Sequence, residues 1–203
     1  MKKLKTFFKI LFRGGGFKLA STVFRKDKLM TEQVFKYRGM KIHHRPNFGD
    51  RGMIHEYLLK KRKKYFIPHD LFTPQTIVDV GANTGMASAY FRSIWPLARI
   101  FAIEPAEINF RILTKNAREF GNMELIKAAL GEVDGMATLV GSKTDNGSLS
   151  LKSNQHNPDY VEEVSMRTLQ SIVKQYQIER IDLLKLDCEG AEHDILFNLP
   201  DEI

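Results

Sequence analysis

Short apolar runs alternate with helical periodicity through the C-terminal two thirds of the chain, from Thr76 onward. Short runs are typical of buried strands, and apolar residues at every third or fourth position are typical of helices. The elements predicted here are strands at 76–80, 99–104 and 123–130, with helices over about 84–94 and 107–120. Strands that alternate with helices favour a mainly parallel sheet with helices on both faces. The fold class predicted for this part is therefore α/β and Rossmann-like.

The alternation changes character after Leu130. Turn signals at Gly131–Gly135 and Asn146-Gly147 separate short segments with strand character. We expect an inserted antiparallel hairpin, or a cap over the site, with strands at 136–140, 148–151 and 161–169. A helix over 169–176 then returns the chain to the sheet, where the apolar run 181–186 predicts another buried strand.

The first 75 residues contain two basic segments with helical periodicity. Within residues 1–12 the apolar side chains share one helical face, and these are Leu4, Phe7, Phe8, Leu11 and Phe12. Such a helix either packs on the domain with its lysines solvated or lies in a lipid interface. Gly14–Gly16 interrupts it, and Met53–Leu58 predicts a later helix that ends in the basic run Lys60–Lys64. We therefore expect a basic, mainly helical N-terminal extension at 1–75 and a Rossmann-like domain at 76–203.

Charge is divided unevenly between these two parts. Residues 1–75 contain 19 Lys and Arg against 5 Asp and Glu, whereas residues 76–203 contain 12 against 19. This asymmetry favours contact of the N-terminal part with an anionic surface, such as a membrane met through residues 1–13. Few aromatic residues accompany the basic runs, so a nucleic-acid partner is disfavoured. The single cysteine, Cys188, and the absence of a long apolar run in the sequence favour a cytoplasmic protein.

A glycine-containing turn follows the first predicted strand. Residues 79–85 read Asp-Val-Gly-Ala-Asn-Thr-Gly, and Glu104 ends the next strand about 20 residues later. This layout indicates a nucleotide site in which the turn approaches the ligand and the acid binds the ribose hydroxyls. Dinucleotide sites favour a second glycine where this chain has Asn83, a residue that tolerates positive φ. The pattern therefore disfavours NAD, although an oxidoreductase remains an alternative.

Three acids follow the strand at 181–186, namely Asp187, Glu189 and Glu192. Capping of the helix predicted from about Ala191 accounts for one or two of them. A third acid beside a glycine turn suggests a role in the site, because ligands bind at the carboxyl ends of strands in this fold. We expect Asp187 to line the reaction site.

Together, the motifs at 79–85 and 184–192 resemble the FkbM family of S-adenosylmethionine-dependent methyltransferases. The resemblance covers roughly Thr76 to Leu199 and implies O-methylation of hydroxyls on sugars, glycans or other small molecules. It implies that the methionine part of the cofactor meets Asp79, Gly81, Asn83 and Gly85, the ribose meets Glu104, and the adenine meets the backbone around Ala129. Sheets of this class continue with a further strand, helix and hairpin, so we expect a C-terminally incomplete fold. A non-catalytic or partner-completed cofactor-binding fragment and a nucleic-acid methyltransferase are the alternatives.

Methylation of an alcohol needs a base, because an alcohol is a weak nucleophile at neutral pH. Asp187 is the first candidate, followed by Glu189, Glu192 and His193. A divalent metal held by Asp187 is the alternative, since a metal lowers the pKa of a bound hydroxyl, although the sequence identifies no further ligands.

Overall fold

The structure is a computed structural model of the 203-residue chain. It describes residues 2–12, 32–45, 49–60, 72–141, 149–151, 158–187 and 195–196. Several sequence predictions lie outside these residues, and they concern Gly14–Gly16, the basic run after Lys60 and the turn at Asn146-Gly147. Of the helix predicted from about Ala191, only residues 195–196 are described, and they are helical.

The described elements are five helices and ten strands. The helices are α1 (Lys2–Ile10), α2 (Asp50–Met53, continued by a wider helical turn over Ile54–Leu59), α3 (Met86–Ile94), α4 (Glu107–Phe120) and α5 (Leu169–Tyr176). The strands are β1 (Gln33–Tyr37), β2 (Met40–His44), β3 (Thr76–Val80), β4 (Arg99–Ile103), β5 (Met123–Ile126), β6 (Ala129–Leu130), β7 (Gly135–Gly141), β8 (Leu149–Ser150), β9 (Tyr160–Arg167) and β10 (Leu183–Leu186).

The central sheet has the strand order β10-β3-β4-β5, and all of its neighbouring strands are parallel. In each of its middle strands, β3 and β4, the last four of the five residues are buried, as expected for a sheet covered on both faces. The parallel register sets the carboxyl ends of β3, β4 and β10 at one edge. The Rossmann-like prediction is therefore confirmed, and this edge is where ligands bind in such sheets.

The strand predicted at 123–130 is two strands in two different sheets. The backbone turns after Ile126, where the Ala128 N–H donates to the Ile126 carbonyl over 3.1 Å. Leu130 belongs to β6, which pairs with β9. The break was not predicted because apolar residues continue directly after Lys127.

The second sheet has the order β6-β9-β7-β8, and its main contact is the antiparallel pair β7–β9. This confirms the hairpin predicted after Leu130. Its inner face buries Leu139 and Val164 against Ala106 and Ala129. The sheet therefore lies beside the carboxyl edge of the central sheet.

The N-terminal part contains a β-hairpin, β1–β2, that the sequence analysis did not predict. Phe35 and Ile42 of this hairpin share one buried cluster with Ile54, Tyr57 and residues of α3. Asn116 of α4 holds β2 by accepting from the His43 N–H over 2.7 Å. The described parts of residues 32–60 are therefore packed into the core of the Rossmann-like domain.

Helix α1 packs on the same cluster with one side. Ile10 is buried there, and Phe7 and Leu11 pack against it. Leu4 and Phe8, expected on the same apolar face, are instead exposed. None of the described helices is both long and apolar enough to cross a bilayer.

Candidate active site

A cavity of ≈ 540 Å³ opens at the carboxyl edge of the central sheet. Its walls combine the loops after β3, β4 and β10 with the second sheet and with α2. Five residues singled out from the sequence line it, namely Gly81, Asn83, Glu104, Ala129 and Asp187. Asp79 and Gly85 do not line it.

The loop after β3 turns through three residues with positive φ. Gly81 has φ 67°, Asn83 has φ 53° and Gly85 has φ 86°. The expectation that Asn83 takes a glycine-like conformation is thereby confirmed. The positive φ of Gly85 favours glycine at this position, and an added Cβ would also stand 2.9 Å from Leu113 Cδ1 of α4. Gly85 thus contributes to the conformation of the loop without lining the cavity.

Asp79 is buried beneath this loop and holds it through contacts with two neighbouring side chains. Its carboxylate is fully buried, accepts from Ser88 Oγ over 2.6 Å and forms an ion pair with Lys185 Nζ at 2.9 Å. Lys185 stands opposite Asp79 in the β10–β3 register and also donates to the carbonyls of Val80 and Gly81. The pair therefore fixes the backbone that leads into the cavity, and Lys185 is a site residue that the sequence analysis missed.

Glu104 is 5% exposed and receives three N–H donors. The Asn83 N–H donates to Oε2 over 2.8 Å, while the Ala106 N–H and Asn109 Nδ2 donate to Oε1, each over 3.1 Å. Burial raises the pKa of Glu104, and these donors oppose that rise. A carboxylate has about four acceptor positions, so these three donors do not use all of them.

A polar chain connects Glu104 to the N-terminal part. Asn109 Oδ1 accepts from Arg45 Nη2 over 2.8 Å, and the same Arg45 nitrogen meets Asp50 Oδ1 at 3.1 Å. Both members of the Arg45–Asp50 pair are buried, with side chains 5% and 1% exposed. The position of Asn109, and through it that of Glu104, therefore depends on residues far earlier in the sequence.

Asp187 lies at the end of β10, as predicted. Its Oδ2 accepts a hydrogen bond from the hydroxyl of Tyr57 over 3.1 Å. Tyr57 is 5% exposed and belongs to the helical turn after α2. Met53 and Glu56 line the same wall. The basic helical segment therefore supplies a wall of the cavity, which its sequence pattern alone did not indicate.

The second sheet closes the opposite side with Leu139 and Leu151, beside Ala129 and Leu130. This agrees with the expectation of a cap over the site. Glu189, Glu192 and His193 lie outside the described residues, so their candidacy stays a prediction. Within the described part of the chain, no three His, Cys, Asp or Glu side chains are grouped so as to hold a metal ion.

Comparison with known proteins agrees with this architecture. Residues 79–202 match the model of the methyltransferase FkbM domain. A methyltransferase of Sordaria araneosa, sdnD, is 25% identical over 205 residues, which cover 80% of this chain and 79% of the relative. Methyltransferase 1 of Beauveria bassiana is 31% identical over 156 residues, which cover 66% of this chain and 61% of the relative.

A third relative is much larger than this chain. The AMB antimetabolite synthetase AmbE of Pseudomonas aeruginosa is 29% identical over 161 residues, which cover 62% of this chain but 8% of the relative. The matched family domain begins within β3 and includes every loop of the carboxyl edge described above. This chain therefore belongs to the FkbM family of methyltransferases.

Proposed function

We propose that this protein uses S-adenosylmethionine to methylate a hydroxyl group of a sugar, glycan or related small molecule. One arrangement carries the proposal: the Gly81–Asn83 loop, Glu104 and Asp187 face a single cavity. One relative is named an antimetabolite synthetase, which favours a small-molecule acceptor over a macromolecule. The single cysteine supports a cytoplasmic setting.

The cavity residues fit this cofactor. A volume of ≈ 540 Å³ is in the range of small-molecule sites, roughly 300–1,000 Å³. The loop presents backbone at Gly81 without a side chain. Glu104 keeps one acceptor position for a ribose hydroxyl, and Ala129 and Leu130 give an apolar surface for a purine ring.

S-adenosylmethionine, when bound, supplies an electrophilic methyl group on a positively charged sulfur. The protein's task is to hold an acceptor hydroxyl in line with that group and to remove its proton. Asp187 is the carboxylate we assign to proton removal. The Tyr57 hydroxyl donates to Oδ2 of Asp187 and so helps to fix the orientation of this carboxylate at the cavity. Met53 and Leu139 contribute apolar parts of the cavity wall.

Radiolabelled methyl transfer to a panel of sugars, glycans and hydroxylated small molecules tests the proposal. Asp187→Asn keeps the shape of the side chain but removes its basicity, and we expect turnover to fall about 10²–10⁴-fold. Affinity for S-adenosylhomocysteine should change little. An active parent with an unimpaired Asp187→Asn variant would move the base elsewhere, and Glu189 and Glu192 would be tested next.

Two other outcomes identify the alternatives. Methyl transfer that stops with a chelator and recovers with Mg²⁺ would make Asp187 a metal ligand. Cofactor binding without transfer to any acceptor would favour a binding module or a domain that a partner completes.

A further inference from the structure

Helix α1 and the two residues after it have two apolar sides with different surroundings. Ile10 is 1% exposed and belongs to the core cluster, and Phe7 and Leu11 pack against it. This side fixes the helix to the domain. The remaining apolar side chains of α1 therefore belong to a helix that is already packed on the domain.

The other side forms an outer stripe, which we define as Leu4, Phe8 and Phe12. Successive members are four residues apart, so they lie one above another along the helix. Their exposed fractions are 52%, 43% and 80%. The rings of Phe8 and Phe12 stack with centroids 5.9 Å apart and planes inclined by 15°. The stripe is therefore an apolar ridge exposed to solvent.

The charged residues of this N-terminal segment all have the same sign. Residues 2–12 contain four lysines and no acid, and the side chain of Lys5 is exposed. The N-terminal 75 residues carry a net charge of +14 (19 against 5). An apolar ridge beside lysines matches the boundary between acyl chains and anionic headgroups. A second copy of this segment would instead bring like charges together.

We propose that the outer stripe docks the protein on an anionic lipid surface. Leu4, Phe8 and Phe12 enter the headgroup–acyl boundary, while lysines meet the headgroups. Phe7, Ile10 and Leu11 stay in the core, so docking needs no unfolding of α1. This inference does not rest on the methyl-transfer proposal, because it uses a different surface and has a separate readout.

Co-sedimentation of the full chain with phosphatidylcholine vesicles, with or without phosphatidylserine, tests the proposal. The Phe8→Ser/Phe12→Ser variant removes the stripe but keeps Phe7, Ile10 and Leu11. We expect its binding to phosphatidylserine vesicles to fall at least about tenfold, given the apolar area of two Phe rings. Lys5→Gln should lower binding about fivefold, and added salt should weaken the parent.

Leu97→Ser is the matched control, because Leu97 is 90% exposed in the turn between α3 and β4. The Leu97→Ser control should bind vesicles as tightly as the parent does. All variants should unfold at the same midpoint as the parent. Equal binding by the stripe variant and the parent would overturn the proposal, as would a parent that does not bind phosphatidylserine vesicles. A parent that dimerises through the stripe in sedimentation velocity, without vesicle binding, would assign the ridge to a second copy instead.

Discussion

The hydroxyl of Tyr57 donates to Oδ2 of Asp187 over 3.1 Å, which joins the N-terminal part to the end of β10. These residues are 130 positions apart, and Tyr57 lies outside the matched family domain at 79–202. The site is therefore built by two regions of the chain. The matched family domain supplies the carboxyl-edge side of the cavity, and α2 with its following turn supplies another wall.

Tyr57→Phe keeps the ring but removes the donor to Asp187. A hydrogen bond to a charged acceptor contributes about 1.5–3 kcal/mol, so we expect turnover to fall about tenfold or more. Loss of a donor to the ionised form disfavours that form, and the acid limb of the pH–rate profile should move to higher pH. Methyl transfer measured across pH checks both effects.

Tyr176→Phe is the control, because Tyr176 packs on Phe101 and does not line the cavity. It should leave rate and profile unchanged. A Tyr57→Phe enzyme with the parental profile would show that Tyr57 serves packing alone.

Glu104→Gln replaces an acceptor of three N–H groups with a side chain that must present an N–H group to one of them. We expect affinity for S-adenosylhomocysteine to fall about 10- to 100-fold, from roughly 1.5–3 kcal/mol lost at a charged acceptor. The unfolding temperature should also fall, because Asn83 or Ala106 loses its partner. Calorimetric titration with S-adenosylhomocysteine measures the affinity. Glu124→Gln, which changes an exposed carboxyl group of β5, is the control. Parental affinity in Glu104→Gln would remove the ribose assignment.

Arg45→Met leaves Asp50 buried without its cation. Breaking such a pair costs about 3–5 kcal/mol, which urea denaturation measures directly. We expect the double variant Arg45→Met/Asp50→Leu to recover much of this loss. Arg99→Met, in an exposed pair with Glu124, should change stability by about 0–1 kcal/mol. A small effect of Arg45→Met would mean that the N-terminal part is not integral to the core.

The strands of the central sheet could be predicted because each is a short, mostly apolar run, and β3 and β4 are buried on both faces. The hairpin β1–β2 could not be predicted from the sequence, because its turn has Arg38 at φ 47° before Gly39 at φ 87°. Arginine at a left-handed position gives no turn signal, and the strands mix Lys and His with the buried residues Phe35 and Ile42.

The turn motif at 79–85 was recognisable because glycine and asparagine in a turn indicate backbone conformation directly. The contacts that hold this turn and Glu104 in place were not recognisable from the sequence, because they join residues that are distant in sequence. Lys185 meets Asp79 only through the β10–β3 register, and Arg45 meets Asn109 only after the hairpin packs on α4. Tertiary packing alone brings these partners together.

Asp182 connects β10 to the start of β3, because its Oδ2 accepts from the N–H groups of Gln75 and Thr76 over 2.9 and 3.0 Å. These bonds lower the pKa of Asp182 below its ordinary value of 3.8. A lowered pKa stabilises the fold above pH 3.8, and that stabilisation disappears as pH falls through the lowered value. Asp182→Asn should therefore reduce the unfolding temperature at neutral pH, with the difference closing in strong acid. A pH-independent difference would contradict this account.

The most direct test of the proposed function is calorimetric titration of the full chain with S-adenosylhomocysteine. The loop at Gly81–Asn83 and the carboxylate of Glu104 predict saturable one-to-one binding, with competition by S-adenosylmethionine and no heat from NAD. Gly81→Val should abolish the binding, because Gly81 has φ 67° and lines the cavity. Absence of binding by the folded parent, or equal binding by the folded Gly81→Val variant, would contradict the assignment of this cavity.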